Sequence, residues 1–272
     1  MNIKLLVLDV DGTIAGSSNQ VSQPVKKAIQ AAQAKGIKVA IATGRMYHSA
    51  LRFHRDIGSE LPLIAYNGAW IQNPLTQERH YHQPVPSSLA VELFDYLQQP
   101  SWKPHLSLHF YLDDQLYVGQ IHADTQEYAR RSGVKITVVE DVRAMISQQA
   151  PTKILAMGGN TQIIQKLLGN LTQKYPDNQL YLTQSTTTFF EATHPQATKG
   201  TALCYLTEKL LGLQASQVMA IGDNFNDLTM LTYSGLPIAM GDAPQEVQAA
   251  ARWVAPGVEA DGVAAAIEKF LL

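Results

Sequence analysis

The sequence predicts an α/β protein with a doubly wound, mostly parallel, Rossmann-like core sheet and an inserted α+β domain. Two observations support this prediction. Short apolar segments alternate with amphipathic helical segments at both ends of the chain, a pattern typical of parallel sheets covered by helices. In the middle of the chain this alternation stops and a series of short strands replaces it. An insertion therefore separates two parts of one core.

The first part of the core contains three predicted strands. Residues 3–8 form a continuous apolar segment that ends at Asp9. Ser22 and Pro24 mark the start of a helix that Gly36 ends. The next predicted elements are a strand at 37–42, a helix at 46–57 and a strand at 63–66. This order of strands and helices predicts a parallel sheet.

The pattern changes after the third strand. Asn73-Pro74 between two short strands, 69–72 and 78–82, indicates a hairpin. The predicted elements that follow are helices at 87–98 and 161–174 and strands at 105–111, 115–120, 153–158, 179–183 and 187–192. From residue 218 the first pattern resumes, with strands at 218–221, 237–240 and 253–255. We therefore assign residues 1–82 and 193–272 to the core and residues 83–192 to the inserted domain.

The composition argues against several classes of function. The 272 residues include 21 basic and 23 acidic side chains, and no run of Lys and Arg offers a nucleic-acid-binding surface. Cys204 has no second cysteine with which to form an internal disulfide, which fits a reducing compartment. The apolar N-terminal segment is interrupted by Asp9 and is too short to span a membrane. We expect a soluble cytoplasmic protein with no membrane or nucleic-acid partner.

Carboxylates, hydroxyls and glycines follow three of the predicted strands. The three segments are Asp9-Val10-Asp11-Gly12-Thr13, Thr43-Gly44-Arg45 and Gly222-Asp223-Asn224-Phe225-Asn226-Asp227. Ligands of doubly wound sheets bind beyond the carboxyl ends of the strands, so these segments are expected to converge on one crevice. A hard cation such as Mg²⁺ relieves repulsion between crowded carboxylates, and glycines let backbone N–H groups approach phosphate oxygens. The sequence therefore predicts a site for Mg²⁺ and a phosphate group.

The order of these motifs, with Lys199-Gly200 between the second and the third, resembles the haloacid dehalogenase-like phosphatase superfamily. Three further segments are similar to its Cof-type subfamily, in which a large α/β cap is inserted into the core: Asn67-Gly68-Ala69, Ala239-Met240-Gly241-Asp242-Ala243-Pro244 and Asp261-Gly262-Val263. The resemblance covers the core from end to end. In the inserted domain it is limited to length and pattern.

The resemblance implies a role for each matching residue. Asp9 is the expected nucleophile, Asp11 the expected general acid and base, and Lys199 a further catalytic residue. The expected phosphate-binding residues are Val10, Thr43, Gly44, Lys199 and Asn226. The expected Mg²⁺ ligands are Asp9, the backbone carbonyl of Asp11, Asp223 and Asn224, held in place by Asp227. Arg45 and Asn67 are expected to contact the substrate, although a salt bridge near the site is an equally good interpretation of Arg45.

The resemblance also implies an activity, which is Mg²⁺-dependent hydrolysis of a small phosphate monoester through an aspartyl phosphate on Asp9. Sugar phosphates and related small metabolites are the expected substrates, and the cap is expected to select among them. Two other functions stay open. An aspartyl phosphate can pass to a sugar hydroxyl, as in a phosphomutase or phosphotransferase, and a protein of this fold can act as a non-catalytic sugar-phosphate sensor. Nothing in the sequence indicates the oligomeric state.

Overall fold

A computed structural model describes residues 2–272, in which the chain divides into two units. One unit contains the chain up to Tyr81 together with Thr198–Leu272, and the other is the continuous segment His82–Ala197. The second unit extends past residue 192, the end assigned from the sequence, because Thr193 still pairs with Tyr181 in its sheet. No helix within residues 2–272 is both long and apolar enough to cross a membrane.

Strands and helices alternate through much of the described chain. The strands are β1 (Leu5–Leu8), β2 (Lys38–Ile41), β3 (Leu63–Ala65), β4 (Trp70–Gln72), β5 (Arg79–His82), β6 (Leu106–Leu112), β7 (Gln115–Val118), β8 (Ile136–Val138), β9 (Lys153–Gly158), β10 (Tyr181–Thr186), β11 (Phe189–Thr193), β12 (Val218–Gly222), β13 (Leu236–Ala239) and β14 (Trp253–Val254). The α-helices are α1 (Gln23–Ala34), α2 (Tyr47–Asp56), α3 (Ser87–Leu97), α4 (Ala123–Ser132), α5 (Val142–Gln148), α6 (Thr161–Lys174), α7 (Lys199–Cys204), α8 (Leu228–Tyr233), α9 (Gln245–Ala249) and α10 (Gly262–Phe270).

The first unit is built on a parallel sheet with the strand order β14-β13-β12-β1-β2. All four residues of β1 are buried, as expected for a strand covered on both faces. Leu8 at the end of β1 pairs with Ile41 of β2 and with Ile221 of β12. The residues that follow these three strands therefore lie at the same edge of the sheet.

Strand β3 does not extend this parallel sheet, although its apolar sequence predicted that it would. It pairs antiparallel with β4, and β3, β4 and β5 form a separate sheet. Its link to the core sheet is an isolated parallel bridge between Ile64 and Ala42, the residue directly after β2. Tyr66, Asn67 and Gly68 have φ angles of 52°, 56° and 101°, which turn the chain back directly after β3. A local apolar pattern does not reveal such a reversal.

The second unit contains a mixed sheet with the strand order β10-β11-β9-β6-β7-β8. Its neighbouring strands are antiparallel except for β7 and β8, which run parallel. One face of this sheet packs on helices α3, α5 and α6 in an apolar core of its own. The structure thus confirms the predicted α/β class, with a parallel core sheet and a separate mixed sheet.

Three elements of the second unit were not predicted from the sequence, namely α4, β8 and α5. Helix α4 is largely polar and buries only Thr125 and Ala129 among its described residues. Strand β8 has three residues, none of them fully buried, and α5 is only seven residues long. Hydrophobic periodicity is weak in elements that are this short or this exposed.

His109 of β6 lies in the interior of the second unit. Its Nε2 is 3.1 Å from Thr125 Oγ1, and its ring packs edge-on against Tyr128 with the ring centroids 5.1 Å apart. Burial lowers the pKa of His109 to about 3, because a protonated imidazole would lose its hydration; Asp124 opposes this shift and Lys153 adds to it. The folded protein therefore holds His109 in its neutral form.

We expect the free energy of unfolding to decrease as the pH falls below about 6.5, in part because of His109. The unfolded chain protonates this histidine near the ordinary pKa of 6.5, whereas the folded chain keeps it neutral down to about pH 3. Between these values the unfolded state binds more protons, so His109 lowers the stability by about 1.4 kcal/mol per pH unit.

Urea denaturation of a His109→Gln variant at pH 7.5 and pH 5 tests this expectation. The difference in unfolding free energy between wild type and variant should narrow by roughly 2 kcal/mol at the lower pH. His105→Gln is a matched control, because His105 is exposed. A His109→Gln variant with the same pH dependence as the wild type would show that His109 is not held neutral.

Candidate active site

Asp9 stands directly after the buried strand β1 and is itself only 4% exposed. Its backbone N–H donates to Ile221 O on β12, which fixes the residue between two strands. Its Oδ1 lies 2.7 Å from the ammonium group of Lys199. The first predicted site residue is therefore a buried carboxylate in direct contact with a cation.

Lys199 is the first residue of α7, and its position follows from the local sequence. Thr198 caps the helix by accepting a hydrogen bond from the backbone N–H of Thr201, and Gly200 allows α7 to pack against the backbone of Thr229. The side chain of Lys199 is fully buried and its Nζ also lies 2.5 Å from Asp227 Oδ1. Burial by itself lowers the pKa of Lys199, but the charges of Asp227 and Asp9 outweigh it and hold the pKa above its usual value.

Asp227 orders the loop that follows β12. Its Oδ2 accepts hydrogen bonds from the backbone N–H groups of Asp223 and Asn224, at 2.8 Å and 3.0 Å. Gly222 makes this possible, because a Cβ at that position would lie 2.5 Å from the carboxyl carbon of Asp227. Both carboxylate oxygens of Asp227 are thus engaged, one by Lys199 and one by the loop.

Asp223 connects the loop after β12 with the loop after β1. Its Oδ1 accepts a hydrogen bond of 3.0 Å from the hydroxyl of Thr13. Gly12 has a φ of +80°, and a Cβ there would lie 2.6 Å from the carboxyl carbon of Asp223. Only glycine allows the two loops to approach this closely with this backbone. Thr13 was part of the predicted motif but was not assigned a role in the site.

Asp9, Asp223 and Asp227 form a cluster in which one oxygen of each carboxylate lies within 4.8 Å of the others. Burial, and next the charge of Asp227, raise the pKa of Asp9 to about 7, although Lys199 acts in the opposite direction. Burial and the neighbouring Asp227 and Asp9 also raise the pKa of Asp223 well above its usual range. One lysine therefore does not fully compensate three carboxylates. These hard oxygen donors could hold a divalent metal ion, which would supply the missing positive charge.

Asp11 lies outside this cluster and is about half exposed. Arg45 holds its carboxylate by a bidentate interaction, with Nε 2.7 Å from Oδ2 and Nη2 2.6 Å from Oδ1. The same Nη2 donates to Asn19 Oδ1 at 2.7 Å. Of the two interpretations of Arg45, this structure contains the salt bridge. Asn19 was not predicted, and its positive φ of 55° in a polar loop is a feature that sequence alone does not reveal.

The remaining predicted residues lie around the ends of β2 and β3. Thr43 is buried, and its hydroxyl accepts a hydrogen bond from the backbone N–H of Arg45 at 3.2 Å. Asn226 donates from Nδ2 to Asn67 Oδ1 at 3.0 Å, while Asn226 Oδ1 is buried without a hydrogen-bond partner in residues 2–272. A Cβ on Gly44 would lie 2.9 Å from Asn67 Oδ1, so the backbone comes close to this pair. Asn226, Asn67 and Gly44 thus lie close together.

Two predicted residues make local contacts that shape the loops. The carbonyl of Val10 accepts hydrogen bonds from the backbone N–H groups of Thr13, Ile14 and Ala15, and its side chain is fully buried. The side-chain oxygen of Asn224 accepts a hydrogen bond from the Phe225 N–H at 2.8 Å. This oxygen keeps a second lone pair with which it could bind an ion.

This arrangement can perform a nucleophilic displacement on an anionic substrate. Asp9 offers a carboxylate beside a cation, and Asp11, two residues later, is about half exposed to solvent. Asp9, Lys199, Asp223 and Asp227 come together, while Asp11 and Arg45 form a second pair next to them. The first group suits charge stabilisation, and the second places an ion-paired carboxylate two residues from Asp9.

Comparison with known proteins identifies the family. The sequence matches a family model described as haloacid dehalogenase-like hydrolase over residues 6–267. YxeH of Bacillus subtilis is 30% identical over 99% of this chain and 98% of that protein. YitU of the same organism, named as a 5-amino-6-(5-phospho-D-ribitylamino)uracil phosphatase, is 24% identical over 98% of this chain and 97% of that protein.

A solved structure of similar fold is also found. It is described as a haloacid dehalogenase-like hydrolase from Bacteroides thetaiotaomicron, is 25% identical, and superposes with a TM-score of 0.83 over 98% of this chain and 99% of that chain. The family matches and this likeness confirm the resemblance that the motifs indicated. The chain belongs to the haloacid dehalogenase-like hydrolase family.

Proposed function

We propose that this protein is a Mg²⁺-dependent phosphatase that hydrolyses sugar phosphates or related small phosphate monoesters through a phosphoryl group carried on Asp9. Membership of the family and its phosphatase relatives make the chain a phosphoric monoester hydrolase. The observation that carries the finer proposal is the buried contact of 2.7 Å between Asp9 and Lys199, with Asp223 and Asp227 beside it.

The proposed reaction has two steps, and its first step forms the phosphoenzyme. A carboxylate oxygen of Asp9 attacks phosphorus, and the bond from phosphorus to the leaving oxygen breaks. Asp11 donates a proton to that oxygen, so the alcohol departs neutral. Lys199 stays cationic throughout, because Asp9 and Asp227 hold its pKa high, and its charge opposes the negative charge that gathers on the phosphoryl oxygens.

The second step regenerates the enzyme. Water attacks phosphorus, its proton passes to Asp11, and the bond between phosphorus and Asp9 breaks to release inorganic phosphate. Arg45 binds both oxygens of Asp11 in this structure, so proton transfer requires that one of these contacts be released while the other keeps Asp11 in place. Four groups are proposed to bind the phosphoryl oxygens. They are the Val10 N–H after β1, the Thr43 hydroxyl and the Gly44 N–H after β2, and Asn226, which Asn67 orients.

Asp9, Asp223 and the backbone carbonyl of Asp11 are proposed to hold Mg²⁺, with Asn224 as a further ligand. Asp227 fits a positioning role better than a ligand role, because both its oxygens already bind Lys199 and the loop. When bound, the ion supplies positive charge to the phosphoryl group and to the crowded carboxylates. The second unit is proposed to select among leaving groups.

Release of free phosphate from single monoesters by the purified protein tests the function. We expect phosphate release with water as the sole acceptor, which distinguishes a phosphatase from a phosphomutase or phosphotransferase. Binding of the same esters without any phosphate release would instead indicate a sensor. A panel of phosphorylated sugars, pyridoxal phosphate and flavin mononucleotide, compared by kcat/KM, defines the preferred substrate.

Removal of divalent metal is expected to stop turnover. EDTA should lower kcat by more than about 100-fold and Mg²⁺ should restore it, because the negative charge of the transition state is otherwise left with Lys199 alone. The Asp223→Asn variant should require a much higher Mg²⁺ concentration for half-maximal activity. Asp242→Asn is a control in the same unit, since Asp242 lies outside the carboxylate cluster. Full activity in EDTA would refute the proposed metal dependence.

A further inference from the structure

Two arginines of the first unit share one aromatic ring beside Asp11. The Cζ atom of Arg45 lies 4.7 Å from the ring centroid of Phe53, and that of Arg52 on α2 lies 4.4 Å from the same centroid. The ring of Phe53 is buried, so it holds both guanidinium groups against a rigid support. The two cations are therefore close neighbours at the edge of the proposed site.

The corresponding edges of these two arginines differ in what they bind. Arg45 presents its Nε and Nη2 atoms to the carboxylate of Asp11. In Arg52 the same two atoms are buried and have no hydrogen-bond partner within residues 2–272. This edge of a guanidinium matches the two oxygens of a carboxylate or phosphate group, and a charged donor left without a partner is costly. An anion bound at this edge of Arg52 would satisfy both unpaired donors.

The charges around Arg52 also favour an anion. Of the acidic groups that influence Arg52, Asp11 is bound by Arg45, and Asp56 lies 3.0 Å from Lys26. Burial, and next the positive charge of Arg45, lower the pKa of Arg52, and Asp11 and Asp56 act in the opposite direction. Arg52 as a whole is only half-buried, so its side chain lies at the surface, and we expect the buried edge to turn outward when it binds an anion.

We propose that the Nε–Nη2 edge of Arg52 binds a second anionic group of the substrate, a carboxylate or a further phosphate, on the leaving-group side of Asp11. This inference rests on the proposed phosphatase function and names a substrate class for it. Phosphate monoesters that carry a second negative charge should be preferred to matched esters that carry none. Arg45 stays bound to Asp11, and Arg52 binds the second anionic group of the substrate.

Matched pairs of substrates test this proposal. Phosphoglycerate differs from glycerol phosphate only by a carboxylate in place of a hydroxymethyl group, and phosphogluconate differs from glucitol phosphate in the same way. The wild-type protein with Mg²⁺ should prefer the carboxylate-bearing member of at least one pair, by about 10-fold or more in kcat/KM. Arg52→Gln should lower kcat/KM for that member by about 10- to 100-fold and leave the uncharged member within about two-fold.

Two further variants keep the outcome interpretable. Arg52→Lys retains the charge without the two-pronged edge and should keep only part of the preference. Arg55→Gln removes an exposed arginine from the same helix and should leave kcat/KM unchanged for both members of the pair. Equal losses for both members of a pair in Arg52→Gln, or no preference in the wild type, would overturn the proposal. If the proposed phosphatase function were wrong, the result would be different, because neither the wild type nor any variant would release phosphate from any ester.

Discussion

Replacement of Asp9 by Asn is expected to abolish turnover of every phosphate monoester. The amide lacks the negative charge and the lone-pair reactivity of the carboxylate, so the phosphoenzyme cannot form and both steps stop. The expected loss in kcat is about 10⁴-fold or more, the scale on which loss of a covalent nucleophile acts. Steady-state phosphate release, measured with an alkyl and an aryl ester, gives the comparison.

The Asp9→Asn protein should remain folded, which separates a chemical effect from a structural one. Burial raises the pKa of Asp9 to about 7, so the folded protein without metal disfavours the ionised form, and a neutral amide of similar shape fits the same place. Lys199 keeps its contact with Asp227. Asp95→Asn in the second unit is a control with an exposed carboxylate. Retained activity in a folded Asp9→Asn protein would mean that another residue is the nucleophile.

Replacement of Asp11 by Asn is expected to have an effect that depends on the leaving group. An alkyl phosphate has a poor leaving group that needs a proton, so its kcat should fall by about 10²- to 10⁴-fold. The nitrophenolate of p-nitrophenyl phosphate departs without protonation, so the first step can continue. The second step still lacks its base, and the phosphoenzyme should accumulate.

Rapid-quench kinetics detect this intermediate. The Asp11→Asn variant should release about one nitrophenolate per active site in a burst that precedes a slow phase, and acid-quenched protein should carry one phosphoryl group on Asp9. Asp113→Asn, an exposed substitution in the second unit, should behave as the wild type. A label on any residue other than Asp9 would overturn the assignment of the nucleophile. Equal losses for alkyl and aryl esters would remove Asp11 from the role of general acid.

The core could be predicted from the sequence because its strands are short, apolar and buried on both faces. Residues 3–8 and 218–221 left little alternative to central strands, and the polar motifs at their ends indicated where a site would lie. The pairing of strand β3 could not be predicted in this way. The chain reverses at Tyr66 and Asn67, and this reversal depends on backbone conformation. The exposed elements between β7 and β9 lacked the periodicity on which such predictions depend.

The site could be predicted in part for a related reason. Residues at strand ends are brought together by the register of the sheet, so Asp9 and Asp223 could be placed near each other from the pattern alone. The contacts of Arg45 with Asn19, and the shared ring of Arg45 and Arg52, depend on side-chain conformation and on loops. No spacing in the sequence indicates them. The roles of the individual residues stay predictions for the experiments above.

The position of β1 between β2 and β12 has a consequence for biosynthesis. One neighbour follows β1 within the first 41 residues, while the other begins at Val218, after the whole second unit has been made. As the chain leaves the ribosome, one edge of β1 stays unpaired until β12 has been synthesised. The continuous segment His82–Ala197 contains all the strands of its own sheet, so it can fold as soon as it has been synthesised. Slow completion of the core, and a need for protection from aggregation until β12 emerges, follow from this topology.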